Sequence, residues 1–227
     1  MSSKKCGICY TFIMVNLAFQ EVKDLFPNAA VRNYERNQII CYDGDKPHHI
    51  FFISQGHIRY YDIDERGNDN ILHINGPQNI FPMLYAFGIA DEVKGFYAAI
   101  DKVEVMCVPL DDFHEVMKTN IDFSNTLVRW FLAEIEQLVY RLNSFEKTDA
   151  QVKIMFALKY LAKNYGHTAG EWQKVDFPVT QQFIADFTGM ARETASAALH
   201  SLEKDQIIRK GKLRTLEVKQ KELDKLV

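Results

Sequence analysis

Residues 179–202 read VTQQFIADFTGMARETASAALHSL, and this stretch decides how the carboxyl-terminal part of the chain folds. Thr180 precedes an apolar run and can cap a first helix, because its hydroxyl accepts from a free N–H of the first turn. Gly189 permits the left-handed backbone of a tight bend. Apolar residues at helical spacing then predict the buried face of a second helix: Ala195, Ala198, Leu199 and Leu202. Two helices joined in this way form a helix-turn-helix.

The second helix leaves polar residues at its start and on its outer face. Arg192 carries a planar guanidinium that matches the O6/N7 edge of guanine, and Glu193 can accept from cytosine N4. This pattern favours a helix that enters the major groove of double-stranded DNA. A solvated helix start, with Glu193 favoured by the helix dipole, is the alternative. The candidate DNA-contacting residues of the motif are Thr180, Gln181, Arg192, Glu193, Thr194, Ser196 and His200.

A cationic β-hairpin is predicted directly after the second helix. Residues 205–218 read DQIIRKGKLRTLEV, with a turn near Gly211. Cations at this position of a winged helix favour contacts to phosphates, which add affinity through counterion release without reading sequence. A merely solvated turn is the alternative. The candidate phosphate contacts are the four cations of this segment: Arg209, Lys210, Lys212 and Arg214.

Composition and charge indicate a globular chain of two units. The 227 residues are 47% hydrophobic and 25% charged, which excludes a disordered chain or a fibrous repeat. Residues 150–227 carry 13 Lys and Arg against 9 Asp and Glu, whereas residues 1–149 carry 14 against 21. A basic rear unit and an acidic front unit indicate different partners, with an anionic partner for the rear one.

Short apolar runs separated by turn residues fill residues 31–110. Runs of about five residues with frequent glycine turns predict an all-β sandwich or barrel. The predicted strands are residues 38–42, 49–54, 57–63, 70–74 and 103–108.

The period becomes helical after residue 119, and no Gly or Pro occurs in residues 120–147. Apolar residues recur there in steps of three and four, which favours a two-stranded coiled coil and therefore a homodimer. A helix packed only on its own domain is the alternative. The predicted dimer seam is Val128, Phe131, Ile135, Leu138, Leu142 and Phe145.

This order of sandwich, long helix and winged helix-turn-helix resembles the CRP/FNR family of bacterial transcription regulators. The resemblance covers roughly residues 26–216, and the Arg192-Glu193-Thr194 segment is its most specific part. It implies an α+β fold: an N-terminal β jelly-roll of the cyclic-nucleotide-binding type, a dimerisation helix and a C-terminal winged helix-turn-helix. The expected divisions are an N-terminal segment (1–25), a sensor domain (26–119), the dimerisation helix (120–147) and a DNA-binding domain (148–227).

The resemblance also implies a cytoplasmic homodimer that binds a palindromic operator and contacts or blocks RNA polymerase. Arg192 and Glu193 match the family's base-reading Arg and Glu, and Ser196 matches a base-reading serine of the FNR branch. Ala197 stands where arginine is frequent, so one base contact is missing. The alternative function is a sensor module that regulates a protein partner through its winged helix. An enzyme is not expected, because no nucleophile–base set, phosphate loop or zinc-protease spacing occurs.

The effector position departs from the family's cyclic-nucleotide binders, which hold the phosphate with an Arg-Ser or Arg-Thr pair. Residues 79–87 read NIFPMLYAF, and no arginine occurs between Arg66 and Arg129. A buried phosphodiester would lack its charge partner, since Lys94 supplies only a point charge. Cyclic AMP is therefore not expected, and the effector is unidentified. Apolar side chains either line a pocket for an uncharged ligand or fill the space: Phe81, Met83, Leu84, Tyr85, Phe96 and Tyr97.

The four cysteines are too few for a disulfide scaffold and indicate a reducing compartment. FNR-like members bind a [4Fe–4S] cluster, and four cysteines are the minimum for one: Cys6, Cys9, Cys41 and Cys107. The family's third N-terminal cysteine is missing, and Cys107 lies one residue past its sandwich ligand, which reverses the side-chain face. No cofactor is therefore expected, with a cluster or a thiol sensor at Cys6 and Cys9 as alternatives.

The apolar run of residues 6–19 follows Lys4 and Lys5. We expect an amphipathic helix here, with translation beginning at Met14 and an export signal as alternatives. About 14 residues are too few to span a bilayer, so no membrane partner is expected.

Overall fold

The computed structural model describes residues 19–145 and 147–226. The expected N-terminal amphipathic helix, Cys6 and Cys9 lie outside the described residues, and so does the side chain of Phe145. Within these ranges no helix combines the length and the apolar character that crossing a membrane requires.

A β-sandwich forms the first part of the described chain. Its elements are α1 (Phe19–Leu25), β1 (Ala30–Tyr34), β2 (Ile39–Cys41), β3 (His49–Gln55), β4 (Ile58–Ile63), β5 (Asp69–Asn75), β6 (Ile80–Phe81), α2 (Met83–Ala86), β7 (Phe96–Ala99), β8 (Val103–Pro109) and α3 (Leu110–Thr119). One antiparallel sheet has the order β1-β8-β3-β6, and the other has the order β2-β7-β4-β5.

The five predicted strands are confirmed as β2, β3, β4, β5 and β8. The sequence pattern missed β1, β6 and β7. Four of the five β1 residues are exposed, so the strand shows no alternation of apolar and polar residues. β6 contains only two residues and forms against the middle of β3.

The second part of the chain begins with the long helix. Its elements are α4 (Ile121–Phe145), α5 (Ala150–Tyr165), β9 (Gly166–Ala169), β10 (Trp172–Val175), α6 (Gln181–Thr188), α7 (Arg192–Lys204), β11 (Ile208–Lys210), β12 (Leu216–Lys219) and α8 (Gln220–Leu223). The predicted hairpin around Gly211 is confirmed as β11 and β12, which join β9 and β10 in one antiparallel sheet. The β9–β10 hairpin was not predicted, because two strands of four residues give little periodic signal.

The helix-turn-helix packs directly on the sandwich. One continuous apolar cluster joins Ile71 and Ile74 of β5 to Leu158 of α5 and Phe187 of α6. The Tyr165 hydroxyl also donates to the Ile74 carbonyl oxygen at 2.6 Å. A displacement of β5 therefore acts on the helix-turn-helix through direct contacts.

Candidate nucleic-acid interface and effector cavity

The bend between α6 and α7 has the predicted local geometry. The Thr180 hydroxyl accepts a hydrogen bond from the Phe183 N–H at 3.0 Å and caps α6. Gly189 ends α6 with φ of 67°, in the left-handed region that favours glycine. α7 begins after Ala191, which gives it no side-chain cap. The first N–H groups of α7 are therefore available to a phosphate oxygen.

α7 separates a buried face from a polar face as the sequence predicts. Its buried residues are Ala195, Ala198, Leu199 and Leu202. Thr194 and His200 are exposed, whereas Ser196 is half-buried. The exposed side chains of Arg192 and Glu193 form no ion pair with any other residue in the described ranges. Both groups are thus free to engage a partner outside the chain.

A groove of about 470 Å³ separates the start of α7 from the β11–β12 hairpin, which we call the wing. Six of the candidate DNA-contacting residues line it: Thr180, Gln181, Arg192, His200, Arg209 and Lys210. Glu193, Thr194, Ser196 and Lys212 lie outside its lining. Arg214, the fourth cation of the predicted hairpin, also lines the groove.

Two of the expected phosphate contacts already have anionic partners. The Arg209 guanidinium binds Glu217 Oε2 at 2.6 Å, and Lys210 Nζ lies 2.8 Å from Glu203 Oε2. Arg209 and Glu217 face each other across the β11–β12 ladder, so the hairpin register could have revealed this pair. A phosphate would therefore have to compete with these two carboxylates for Arg209 and Lys210. Exposed pairs of this kind are weak enough to exchange for phosphate.

The tip of the wing is held in an unusual conformation. Leu213 is 87% exposed, and Leu213 and Arg214 have φ of 57° and 62°. The buried Thr215 hydroxyl donates to the Lys212 carbonyl oxygen at 2.8 Å, which braces the turn. The Val179 N–H donates to the Arg214 carbonyl oxygen at 2.9 Å and ties the tip to the residues before α6. The wing cations are therefore placed by a fixed backbone.

A cavity of about 310 Å³ lies in the sandwich, between β5, the β6–α2 segment and the long helix α4. Five of the six expected pocket residues line it: Phe81, Met83, Leu84, Tyr85 and Tyr97. Phe96 does not line it, because its ring stacks on Tyr61 at 5.3 Å between centroids. Helix α4 also forms part of the cavity wall, which the sequence pattern did not predict.

The cavity wall contains few charged groups, and they are paired. Lys94 Nζ lies 2.7 Å from Glu92 Oε1, and no arginine lines the cavity. Glu134 of α4 places Oε2 2.9 Å from His73 Nε2 of β5. His73 Nδ1 and the Trp130 indole N–H are buried without a hydrogen-bond partner among the described residues. Burial also raises the pKa of the Tyr97 hydroxyl, which therefore stays neutral.

An apolar stripe on α4 is exposed beside the cavity: Val128, Leu132, Ile135, Leu138, Val139 and Leu142. Phe131 of the predicted seam instead turns toward the sandwich, where its ring meets Phe87 at 5.4 Å. Leu132 was absent from the predicted seam, and it continues the same spacing of three and four residues. Ile135 and Leu138 belong to both the stripe and the cavity wall.

Arg141 connects strand β5 of the sandwich to helix α6. Its guanidinium donates to the backbone carbonyls of Ile71 and Leu72 in β5, and to that of Phe187 in α6 at 3.1 Å. It also stacks over the Phe187 ring at 4.3 Å. Burial lowers the pKa of Arg141 to about 10, so the group stays charged at neutral pH. Sequence reasoning missed this residue, which reads as an ordinary polar position of a long helix.

The two described cysteines are buried thiols in the sandwich core. Burial raises the pKa of Cys41 to about 12 and raises that of Cys107, which disfavours the thiolate form that binds metal. No group of three or more metal-ligating side chains occurs within the described part of the chain.

Comparisons with known proteins match the same two parts. Residues 31–120 match the cyclic nucleotide-binding domain model, and residues 153–225 match the Crp-like helix-turn-helix domain model. The chain is 28% identical over 183 residues to the HTH-type transcriptional regulator ArcR of Staphylococcus haemolyticus, covering 80% of each. It is 22% identical over 197 residues to the global nitrogen regulator of a Nostoc species, covering 86% of this chain and 87% of that protein.

Among solved structures, FixK2 from Bradyrhizobium japonicum shares the fold with a TM-score of 0.71 at 18% identity, over 87% of this chain and 96% of that one. Two adjacent domain models in this order, together with relatives that are transcription regulators rather than enzymes, agree with the geometry of α6, α7 and the wing. The chain therefore belongs to the CRP/FNR family of transcription regulators, with a Crp-like helix-turn-helix as its DNA-binding domain.

Proposed function

We propose that this protein is a homodimer that binds a palindromic DNA operator and responds to an effector other than cyclic AMP. The observation that carries the proposal is the exposed pair Arg192 and Glu193, which begins α7 and has no ion-pair partner among the described residues. Such a pair suits the two edges of a G·C base pair or of neighbouring pairs.

The helix reads the bases, and the wing binds the DNA backbone. Arg192 donates both arms of its guanidinium to guanine, and Glu193 accepts from cytosine. Lys212 and Arg214 at the wing tip supply phosphate contacts that hold the helix in register. Ala197 adds no polar contact to this set, so we expect a half-site related to those of other family members but different in sequence.

Dimerisation through α4 is supported by its exposed apolar stripe. Leu132, Ile135 and Leu142 are each more than half exposed, and they recur in steps suited to a two-stranded coiled coil. A two-fold dimer presents two α7 helices and therefore calls for a palindromic site. On promoter DNA such a dimer contacts or blocks RNA polymerase.

The cavity is the proposed effector site. Its lining lacks an arginine, and its single lysine, Lys94, is paired with Glu92, so a cyclic nucleotide phosphate has no guanidinium to bind. An effector that moves β5 changes the position of the Ile71 and Leu72 carbonyls. Arg141 then passes this change to Phe187 and α6 as a shift between two populations of domain arrangements.

In-vitro selection from random duplex DNA tests this function. We expect enrichment of a palindrome whose half-sites lie about one helical turn apart. The Arg192→Ala variant should lose the preference at one G·C pair of each half-site. The control is Arg36→Ala, which removes an exposed arginine from the sandwich and should leave selection unchanged.

Two results would contradict the proposal. If a folded dimer enriches no sequence, the winged helix instead serves a protein partner. If added cyclic AMP changes the affinity for the selected operator, the cavity accepts cyclic nucleotides after all.

A further inference from the structure

The charge of the cavity wall limits the ligands that it can hold. Glu134 and His73 form a partly buried pair, in which the carboxylate offsets any positive charge on the imidazole. Lys94 and Glu92 cancel each other at the edge of the cavity. The wall is therefore never net positive, and an anionic ligand would meet a carboxylate without a free cation to balance it.

Aromatic rings form much of the remaining wall. Tyr60 and Tyr97 stack with 4.8 Å between ring centroids, and Trp130 and Phe131 pack together at 5.1 Å. Such rings favour flat apolar ligands, and their faces attract cations. This part of the wall suits an aromatic body.

The occupant must also carry a polar group. The Trp130 N–H and His73 Nδ1 are buried and lack a partner among the described residues, although buried polar atoms of folded proteins are nearly always hydrogen-bonded. A purely apolar ligand would leave both atoms unsatisfied. A hydroxyl can accept from the Trp130 N–H and also bond to His73 Nδ1, whereas an ammonium can donate only to His73 Nδ1.

We infer that the effector is a small aromatic molecule, neutral or positively charged, whose hydrogen-bonding group lies beside Glu134. This inference rests on the proposed regulatory function and deepens it. Because Glu134 belongs to α4, the polar group of the ligand acts directly on the helix that carries the exposed stripe. The aromatic body contacts β5 through Leu72 and His73, next to the carbonyls that Arg141 holds.

Three probes with a phenyl ring on a short chain test the ligand class by isothermal titration calorimetry on the full chain. At neutral pH phenethylamine is a cation, phenethyl alcohol is neutral and hydrocinnamate is an anion. We expect the cation and the alcohol each to bind about tenfold more tightly than the anion, since a like charge beside a buried carboxylate is unfavourable.

Glu134→Gln removes the negative charge at nearly constant size and should bring the three affinities to within about threefold of each other. Glu136→Gln is the matched control on the same helix, because Glu136 does not line the cavity. It should preserve the ranking of the three probes. A thermal unfolding curve for each variant separates loss of binding from loss of fold.

The inference is overturned if hydrocinnamate binds as tightly as phenethylamine, if Glu134→Gln leaves the ranking unchanged, or if none of the probes binds the folded protein. Operator selection is measured without any probe and distinguishes this failure from failure of the proposed function. If operator selection succeeds but the three probes do not follow the expected order of affinity, only the proposed ligand class is rejected. A correct ranking without selection leaves a ligand cavity in a chain that lacks the proposed DNA-binding role.

Discussion

In the proposed effector cavity the charged side chain of Glu134 is paired with His73 inside the protein, whereas Arg192 and Glu193 at the start of α7 face solvent with no ion-pair partner among the described residues. In the first arrangement, moving one partner away from the other costs free energy, because buried polar groups need their partners. In the second arrangement, the exposed charged side chains remain available to bind a highly charged partner. Removing an interior connection should therefore affect the whole molecule, and removing a surface group should affect only DNA binding.

The largest effect is expected from Arg141→Ala. This change leaves the carbonyls of Ile71, Leu72 and Phe187 without their charged donor, and the free energy of unfolding should fall by about 3 kcal/mol. Urea unfolding measures it. Arg129→Ala, at an exposed position of the same helix, should change stability by less than about 0.5 kcal/mol. Equal effects of the two variants would show that the hydrogen bonds of Arg141 stabilise the fold no more than an exposed arginine does.

The next largest effect is expected from a change in the exposed apolar stripe of α4. Ile135→Asp places a charge in the proposed coiled-coil seam and should raise the dimer dissociation constant about 100-fold, because an unpaired carboxylate is costly in an apolar interface. Sedimentation velocity over a range of concentrations measures it. The control Arg129→Asp places the same side chain at an exposed arginine of α4 that is not part of the apolar stripe. A dimer that tolerates Ile135→Asp would use a different surface.

Arg192→Lys tests whether Arg192 contacts a base or a phosphate. The charge is kept but the planar fork is lost, so affinity for the selected operator should fall about tenfold while binding to random DNA stays constant. Fluorescence anisotropy on both duplexes measures the ratio, and thermal unfolding should match the wild type. An equal loss on both duplexes would make Arg192 a phosphate contact rather than a base contact.

The smallest effect is expected in the wing. Lys212→Ala and Arg214→Ala should each lower the slope of log affinity against log salt concentration by about one. Arg209→Ala should lower it less, because Glu217 already neutralises that guanidinium. Titrations at several salt concentrations provide the slopes. A full unit of slope lost with Arg209→Ala would mean that DNA displaces Glu217 completely.

The sequence predicted the helix-turn-helix well because its determinants are local. The cap at Thr180, the bend at Gly189 and the spacing of Ala195, Ala198 and Leu202 all lie within 24 residues. The cavity depends on contacts between distant segments, and its prediction was less accurate. Adjacent residues of a strand face opposite sides, so Phe96 and Tyr97 could not both line it.

Arg141 and Phe131 are residues whose contacts a sequence pattern does not predict. A heptad pattern assigns Phe131 to the seam, but the pattern contains no information about Phe87, which lies 44 positions earlier and draws the ring inward. Nothing near Arg141 in the sequence indicates that β5 and α6 will surround it. Such residues become recognisable only when the packing of the two domains is known.

The protein contains two tryptophans, one in the cavity wall and one beside the wing. Trp130 is in the cavity wall, whereas Trp172 lies under the Arg209 guanidinium at 4.2 Å and near Lys219 Nζ at 5.4 Å. Indole emission responds to nearby charge, so a ligand beside Trp130 and a phosphate that draws Arg209 away should each produce a distinct optical signal. Each of the two single variants, Trp130→Phe and Trp172→Phe, keeps one tryptophan and so reports one of the two events. Together the unlabelled variants would give the order in time of effector binding and DNA binding.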